Sequence, residues 1–173
     1  MHATQKDMEE FHKQIRTGAI QRAYRALLSY MMKLRTHFEH TFGVSSVSGL
    51  YQGCMDMTCF AFTPGFLKPH GLKVAVVFNY DAFRFEVWLA ARNRTTQKKY
   101  WELFRNHDWG EYRVVTPAAG IDSIIEGIIA EDFDIDNPDA LTSRIEHVTN
   151  IFIERIERFL SGQHARGTDK TGS

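Results

Sequence analysis

Long apolar runs, cysteine and proline are all scarce in this sequence. The longest strongly apolar run, residues 74–78, is far shorter than the roughly 20 residues of a membrane helix. The N-terminal stretch MHATQKDMEEFHKQ has no apolar core, so it is not a secretory signal. The chain has no CxxC spacing of the kind that holds zinc. We therefore expect a cytoplasmic protein with no membrane-spanning segment.

The two cysteines, Cys54 and Cys59, lie five positions apart on one predicted strand. At roughly 3.3 Å per residue their Cα atoms would be about 16 Å apart, on opposite faces of the strand. A disulfide requires less than about 7 Å. The pair therefore cannot form a bridge within that strand, which agrees with a reducing compartment.

Apolar residues are plentiful: 43% of the 173 residues are hydrophobic and 13% are aromatic. A chain of this length buries roughly 70% of the surface that it exposes when unfolded, which is enough for one core without disulfides or metal. We predict a single domain over residues 1–160. The polar tail, residues 161–173, is predicted to be disordered.

The net charge of zero conceals two segments of opposite sign. Residues 1–120 carry 16 basic and 10 acidic side chains, whereas residues 121–173 carry 5 basic and 11 acidic ones. Such a separation is consistent with two solvated faces, or with segments that attract each other. We predict that the acidic stretch 122–139 lies against the basic segment 84–113, or forms a homodimer through it.

Both ends of the chain have helical periodicity. Met8, Phe11 and Ile15 make a short amphipathic helix that Thr17-Gly18 ends. Apolar residues at steps of three and four predict a long helix over Ile20–Phe42, and a second one from Pro138 to Leu160. Ser123 and Glu126 have the spacing of a capping box, which predicts a further helix through the isoleucines that follow.

The middle of the chain alternates with period two. Residues 50–63 predict one extended strand, and residues 72–79 and 84–92 predict an antiparallel hairpin. A short helix over 95–106 and a short strand near 112–115 follow. The fold class is therefore α+β: a mainly antiparallel sheet of about four strands flanked by long N- and C-terminal helices, in the order ααβββαβαα.

Strand alternation gathers polar residues on one face of this sheet. If the polar faces coincide, one concave charged surface would contain Asp56, Lys73, Arg84 and Glu86. The simpler interpretation is a wet face whose charges pair across strands. Catalytic candidates on this face are Asp56, Glu86 and Lys73.

A basic cluster lies where the hairpin meets the next helix. Arginines at a helix N-terminus are suited to anions, so the ligand-binding candidates are Arg84, Arg92, Arg94 and Lys98. The neutral pI of about 7.1 argues against nucleic acid as the partner.

His37 and His40 lie three apart near the end of the long helix and could face one ion. A zinc site usually needs three or four ligands. Favourable placement near the helix C-terminus is the simpler interpretation. No residue pattern identifies a cofactor.

Three stretches, residues 30–38, 50–64 and 85–104, together resemble a family of small bacterial proteins classed as a domain of unknown function. The likeness covers roughly residues 10–160 and implies one domain in a bacterial, cytosolic setting. The element order of residues 20–115 also resembles the restriction-endonuclease-like core. That resemblance implies a metal held by Asp56 and Glu86, but Trp88 stands where the family has lysine, which puts activation of water in doubt.

Two functions are consistent with these patterns. The first is a binding or interaction domain whose polar sheet face meets a small anionic ligand or a protein partner. The alternative is a degenerate or active metal-dependent, nuclease-like phosphodiesterase. The two hypotheses differ in what they require of Asp56 and Glu86.

Overall fold

The computed structural model describes residues 4–43 and 46–168, with side chains described to residue 163. Its helices and strands follow one another in the order ααββββαββα, with a short 3-10 helix, Gly65–His70, between the second and third strands. The helices are α1 (Gln5–Arg16), α2 (Ala19–Thr41), α3 (Arg94–Phe104) and α4 (Pro138–Thr168). The strands are β1 (Tyr51–Gln52), β2 (Met57–Phe62), β3 (Leu72–Asn79), β4 (Arg84–Ala91), β5 (Arg113–Val114) and β6 (Ser123–Ala130).

The six strands form one sheet in the order β1-β2-β3-β4-β6-β5, and every neighbouring pair is antiparallel. The central pair β3–β4 is the predicted hairpin, in register from Leu72 opposite Ala91 to Asn79 opposite Arg84. Because the hairpins and the pairing of β6 with β4 put all six strands in one sheet, polar side chains from neighbouring strands share one continuous surface.

The core lies between one face of the sheet and the helices α2 and α4. The sheet contributes large side chains such as Phe60, Phe62 and Phe85, all at most 1% exposed. Helix α2 contributes Phe38, whose ring contacts Phe60 and Phe62 at centroid distances of 5.5 and 5.4 Å. Burial of these aromatic surfaces fixes which face of the sheet the helices cover.

The predicted class, α+β with helices and an antiparallel sheet, is confirmed, but the sheet has six strands instead of about four. One predicted strand, residues 50–63, is two strands, because a turn over residues 53–56 separates β1 from β2. Gly53 N–H donates to the Met57 carbonyl at 2.9 Å across this turn. The long helices and the β3–β4 hairpin lie where periodicity predicted them.

The helix predicted from the Ser123–Glu126 capping box is wrong, because these residues form strand β6. The register of β6 against β4 shifts near both ends, which is the effect of β-bulges. Each bulge inserts one residue, so Ser123 and Glu126 come to the same face although they are three apart. Isoleucines separated by bulges thereby imitate helical spacing, while their branched side chains suit a strand.

The acidic and basic segments meet within one chain. Arg84 pairs with Glu131 at 2.8 Å, and Arg113 on β5 pairs with Glu126 on β6 at 2.5 Å. A homodimer through these segments stays a prediction. At the C-terminus α4 continues past residue 160 to Thr168, and residues 169–173 of the predicted disordered tail lie outside the described residues. No helix in the described part of the chain has both the length and the apolar character of a membrane span.

Candidate functional site

A cavity of about 790 Å³ lies on the sheet face that the helices leave open. Strands β2, β3, β4 and β6 form its floor. Residues 46–48 wall it beside β2, and residues 113–122 wall it on the other side. A cavity of this volume is typical of a small-molecule site.

Small side chains create the hollow. Ala61 on β2 lies opposite Ala75 on β3, and Ala90 on β4 lies opposite Lys73 on β3. Cys59 lies two residues before Ala61, on the same face of β2. Because strand side chains alternate, the phenylalanines of these strands, with Val74, Val76 and Val87, point to the core, and the short side chains face the cavity.

Trp88 forms the large aromatic surface of the floor. It lies opposite Ala75 on β3 and opposite Glu126 on β6. Its indole Nε1–H donates to Glu86 Oε2 at 2.7 Å, so the orientation of the ring is fixed from the strand on which it lies. Apolar and aromatic linings of this kind bind the flat parts of ligands.

Glu86 holds this arrangement together. The residue is 3% exposed, and its Oε1 accepts a 2.7 Å hydrogen bond from Arg84 Nε. Arg84 in turn reaches Glu131. The guanidinium supplies the counter-charge that a buried carboxylate needs, and the hydrogen bond to Glu86 raises the pKa of Arg84 above its ordinary value.

Glu126, on the neighbouring strand β6, is held by a second set of hydrogen bonds at the cavity floor. Glu126 accepts a hydrogen bond from Ser123 Oγ at 2.6 Å through Oε1 and one from Arg113 Nη2 at 2.5 Å through Oε2. Both carboxylate oxygens of Glu126 are thus held by the protein. On the opposite side, Asp56 Oδ1 accepts the backbone N–H of Met57 at 2.7 Å.

Lys73 is the cavity cation that remains available. Its side chain lines the cavity, and among the described residues no carboxylate forms an ion pair with it. In the register of β3 and β4, Lys73 lies opposite Ala90 and diagonal to Trp88, a separation of about 7–8 Å. Lys73 and Trp88 therefore line the cavity from neighbouring strands, at this diagonal separation between their Cα atoms.

Cys59 is a neutral residue of the cavity floor. Burial raises the pKa of its thiol to about 11, and Lys73 opposes the shift only in part. A protonated thiol is a poor nucleophile, so at neutral pH Cys59 contributes a small apolar surface. Cys54 is exposed in the β1–β2 turn, and both cysteines are free thiols.

The structure divides the four predicted sheet-face residues into two pairs. Asp56 and Lys73 line the cavity. Arg84 and Glu86 instead pair with each other beside it, and Glu86 has both oxygens occupied by Arg84 and Trp88. No cluster of three or more His, Cys, Asp or Glu side chains that could hold a metal occurs among the described residues, so this geometry gives the nuclease-like alternative no support.

The basic cluster lies outside the cavity. Arg94 Nη1 donates to the Ile121 carbonyl at 2.6 Å and to Gln97 Oε1 at 2.8 Å, which ties the start of α3 to the segment before β6. Arg92 and Lys98 are exposed. Arg94 therefore supports the Ile121 wall of the cavity from behind.

The two histidines near the end of α2 have separate surroundings. His37 Nε2 lies 2.7 Å from Glu146 Oε2 on α4, whereas His40 is exposed. The contact of His37 joins α2 to α4 at the surface.

The sequence did not identify Ser123, Glu126 or Arg113 as site residues. The first two fall in the segment that was predicted to be a helix, and Arg113 joins them only because β5 pairs with β6. Alternation puts Trp88 on the polar face, whereas the cavity shows that Trp88 is part of the site and the Glu86 contact shows how its indole is held. The three-residue spacing of Ser123 and Glu126, which is also the spacing of a capping box, is the one sequence feature that links two of these site residues.

Comparison with known proteins gives a family. The family model described as Domain of unknown function (DUF7000) matches residues 4–160. No curated protein and no solved structure matches the chain. The expected membership of a domain-of-unknown-function family is confirmed, while the bacterial setting and the restriction-endonuclease-like likeness stay predictions. Because the match covers most of the chain, this protein belongs to the DUF7000 family.

Proposed function

We propose that this protein binds a small aromatic molecule with an anionic group in the cavity on the open face of its sheet. The observation that carries the proposal is that Lys73 and Trp88 line one cavity of about 790 Å³ from diagonal positions on neighbouring strands. The flat part of the ligand would pack on Trp88, and its anion would pair with Lys73.

The charges around the cavity favour an anion at Lys73. Glu126 accepts hydrogen bonds from Arg113 and Ser123 on both carboxylate oxygens, and Asp56 accepts one from the Met57 backbone through Oδ1. Among the described residues neither carboxylate forms an ion pair with Lys73. Asp122 is exposed at the rim. A ligand that carries an anionic group for Lys73 and a hydrogen-bond donor for Asp122 at its opposite end would pair with both side chains.

Preorganisation supports binding at this site. The ion pair between Arg84 and Glu86 is built into the sheet and holds the Trp88 ring without any ligand. A rigid aromatic wall loses little conformational freedom when a ligand binds, which improves affinity.

The test uses 8-anilinonaphthalene-1-sulfonate, an aromatic sulfonate with an N–H donor whose fluorescence rises in apolar surroundings. We expect Lys73→Gln to raise the dissociation constant about tenfold, because one charge-assisted contact is lost. Ala61→Leu should do the same by filling the floor. Lys98→Gln, which removes an exposed lysine outside the cavity, is the matched control and should leave the affinity unchanged.

The experiment also includes Phe83→Asp, which changes an apolar groove away from the cavity. If the probe is lost from this variant and retained by Lys73→Gln and Ala61→Leu, the fluorescence reports the groove, and the proposed cavity site is wrong. Displacement of the probe by 4-aminobenzoate but not by aniline would identify the anionic group as the determinant.

A further inference from the structure

We propose that this protein forms a symmetric homodimer in which helix α1 of each chain docks into an apolar groove of the other chain. The groove has a volume of about 360 Å³ and lies at the end of the sheet where the β1–β2 and β3–β4 turns meet. This proposal is independent of ligand binding in the sheet-face cavity.

The groove is lined by apolar and aromatic side chains. Helix α2 supplies Ile20, Tyr24 and Leu27 along one side, and the loop after β6 supplies Phe133 and Ile135. The Tyr80 hydroxyl, which also borders the groove, is engaged with Thr58 Oγ1 at 2.9 Å. A surface of this composition binds apolar partners.

Two strained residues form the rim. Met55 and Phe83 have φ of 60° and 50°, the left-handed region in which bulky side chains are uncommon. Each occupies a hairpin turn where glycine or asparagine would cost less, yet their side chains are 56% and 64% exposed. Strain that holds large apolar side chains at the surface is typical of a functional contact.

Helix α1 has the complementary property. Its N-terminus is fixed by a capping box between Thr4 and Asp7, but none of its residues is buried. Met8 and Phe11 are 53% and 51% exposed, and they share one face with Ile15. An isolated helix of 12 residues is only marginally stable in water, and packing of its apolar face against another surface would stabilise it.

The dimensions and charges of the two surfaces match. Met8 and Ile15 are seven positions apart, as are Ile20 and Leu27, which is about 10.5 Å along a helix axis. The second half of α1, residues 11–16, carries Lys13 and Arg16 and no acid, whereas residues 131–136 beside the groove carry four acids and no base. Opposite charges at the rim orient such a contact.

The partner is a second copy because α1 does not reach its own groove. No described residue of α1 lines it, although α1 and α2 are separated only by Thr17 and Gly18. The Ile15 carbonyl accepts from Gly18 N–H at 3.0 Å and from Gln21 Nε2 at 2.9 Å, which locks the angle between the helices. Reciprocal docking under two-fold symmetry fills both grooves at once.

The test is sedimentation equilibrium of the full chain and two variants. The unaltered chain should have twice its monomer mass of 20.0 kDa. Phe11→Glu in helix α1 and Phe83→Asp at the groove should each raise the dimer dissociation constant about a hundredfold, because each places a charge against an apolar surface. Aspartate tolerates the left-handed region, so Phe83→Asp should fold and melt as a stable monomer.

Mixing the two variants decides the geometry. The Phe83→Asp chain keeps an intact helix α1, and the Phe11→Glu chain keeps an intact groove. When the two are mixed, one of the two contacts can therefore form, and part of the dimer should reappear. Ile151→Glu, at an exposed site on α4, is the control and should remain dimeric. A monomer at about 1 mM, a dimer that survives Phe11→Glu, or a mixture that stays monomeric would each overturn the proposal.

Discussion

Trp88 donates its indole N–H to Glu86, two residues earlier on the same strand, at 2.7 Å. The partner carboxylate is buried and is neutralised by Arg84, so a polar side chain that resembles a catalytic acid in the sequence instead positions an aromatic ring. Three residues on one face of β4 thus make this charged strand part of the floor of the cavity.

Replacement of the Glu86 carboxylate should destabilise the fold and loosen the position of the Trp88 ring. We expect Glu86→Ala to lower the free energy of unfolding by about 2–4 kcal/mol, because Arg84 and Trp88 both lose a partner. Glu131→Ala removes the exposed end of the same network and should cost less than about 1 kcal/mol. Urea unfolding measures both, and equal losses would contradict the supporting role of Glu86. The Trp88 indole cross peak in a ¹H–¹⁵N spectrum should shift only in Glu86→Ala.

Two glycines should respond in opposite directions to alanine. A Cβ on Gly127 of β6 would lie 2.8 Å from the Tyr112 ring and 3.2 Å from Val87, so Gly127→Ala should destabilise the fold by about 1–3 kcal/mol. Gly162 in α4 has no atom within 4 Å of such a Cβ, and Gly162→Ala should stabilise by about 0.5–1 kcal/mol through helix propensity. Thermal unfolding distinguishes the signs, and a destabilised Gly162→Ala would contradict the helical C-terminus.

The aromatic core should be most sensitive at Phe38. The side chain is fully buried and contacts the rings of Phe42, Phe60 and Phe62. Phe38→Ala should cost about 3–5 kcal/mol, whereas Met32→Ala on the exposed side of α2 should change stability by less than about 0.5 kcal/mol. Similar midpoints for the two variants in urea would mean that α2 does not pack on the sheet as described.

Stability should fall in alkaline solution. Burial raises the pKa of Cys59 from 9.0 to about 11 and that of Tyr30 from 10.0 to about 12. Above the ordinary pKa the unfolded chain has lost the proton that the folded chain keeps, so the free energy of unfolding decreases as pH rises. The losses fall between pH 9.0 and 11 for Cys59 and between pH 10.0 and 12 for Tyr30.

Urea unfolding between pH 8.5 and 10.5 tests this dependence. The double variant Cys59→Ala with Tyr30→Phe should lose stability less steeply than the unaltered chain, by about 1–2 kcal/mol over the range. Cys54→Ala removes an exposed thiol and should leave the slope unchanged. Parallel curves for the double variant and the unaltered chain would show that these two groups are not the cause.

Local patterns predicted the elements that depend on local interactions. The stripes of α2 and α4 repeat with the helical period, and the alternation of β3 and β4 gave their hairpin and the faces of Lys73 and Trp88. These patterns are strong because one side of each element is buried against a single core. The same rule placed Asp56 and Lys73 on the face that carries the cavity.

Strand β6 is an element that local patterns predicted wrongly, as a helix. Its bulges change the spacing of residues on one face from two to three, and the strand pairs with both β4 and β5. Nothing within residues 123–130 records those partners. The pairing of Arg113 with Glu126, which buttresses the cavity, depends on the same long-range arrangement.

The sequence by itself determined an α+β domain, its long helices and its central hairpin, because the burial of one face leaves a period in the chain. The tertiary structure alone decided that Glu86 supports Trp88, that Lys73 faces a cavity, and that α1 is left without a cover. The burial of Glu86, the cavity around Lys73 and the exposure of α1 depend on how strands and helices pack, and the free energy that selects this packing comes from contacts that form only when the whole sheet is assembled.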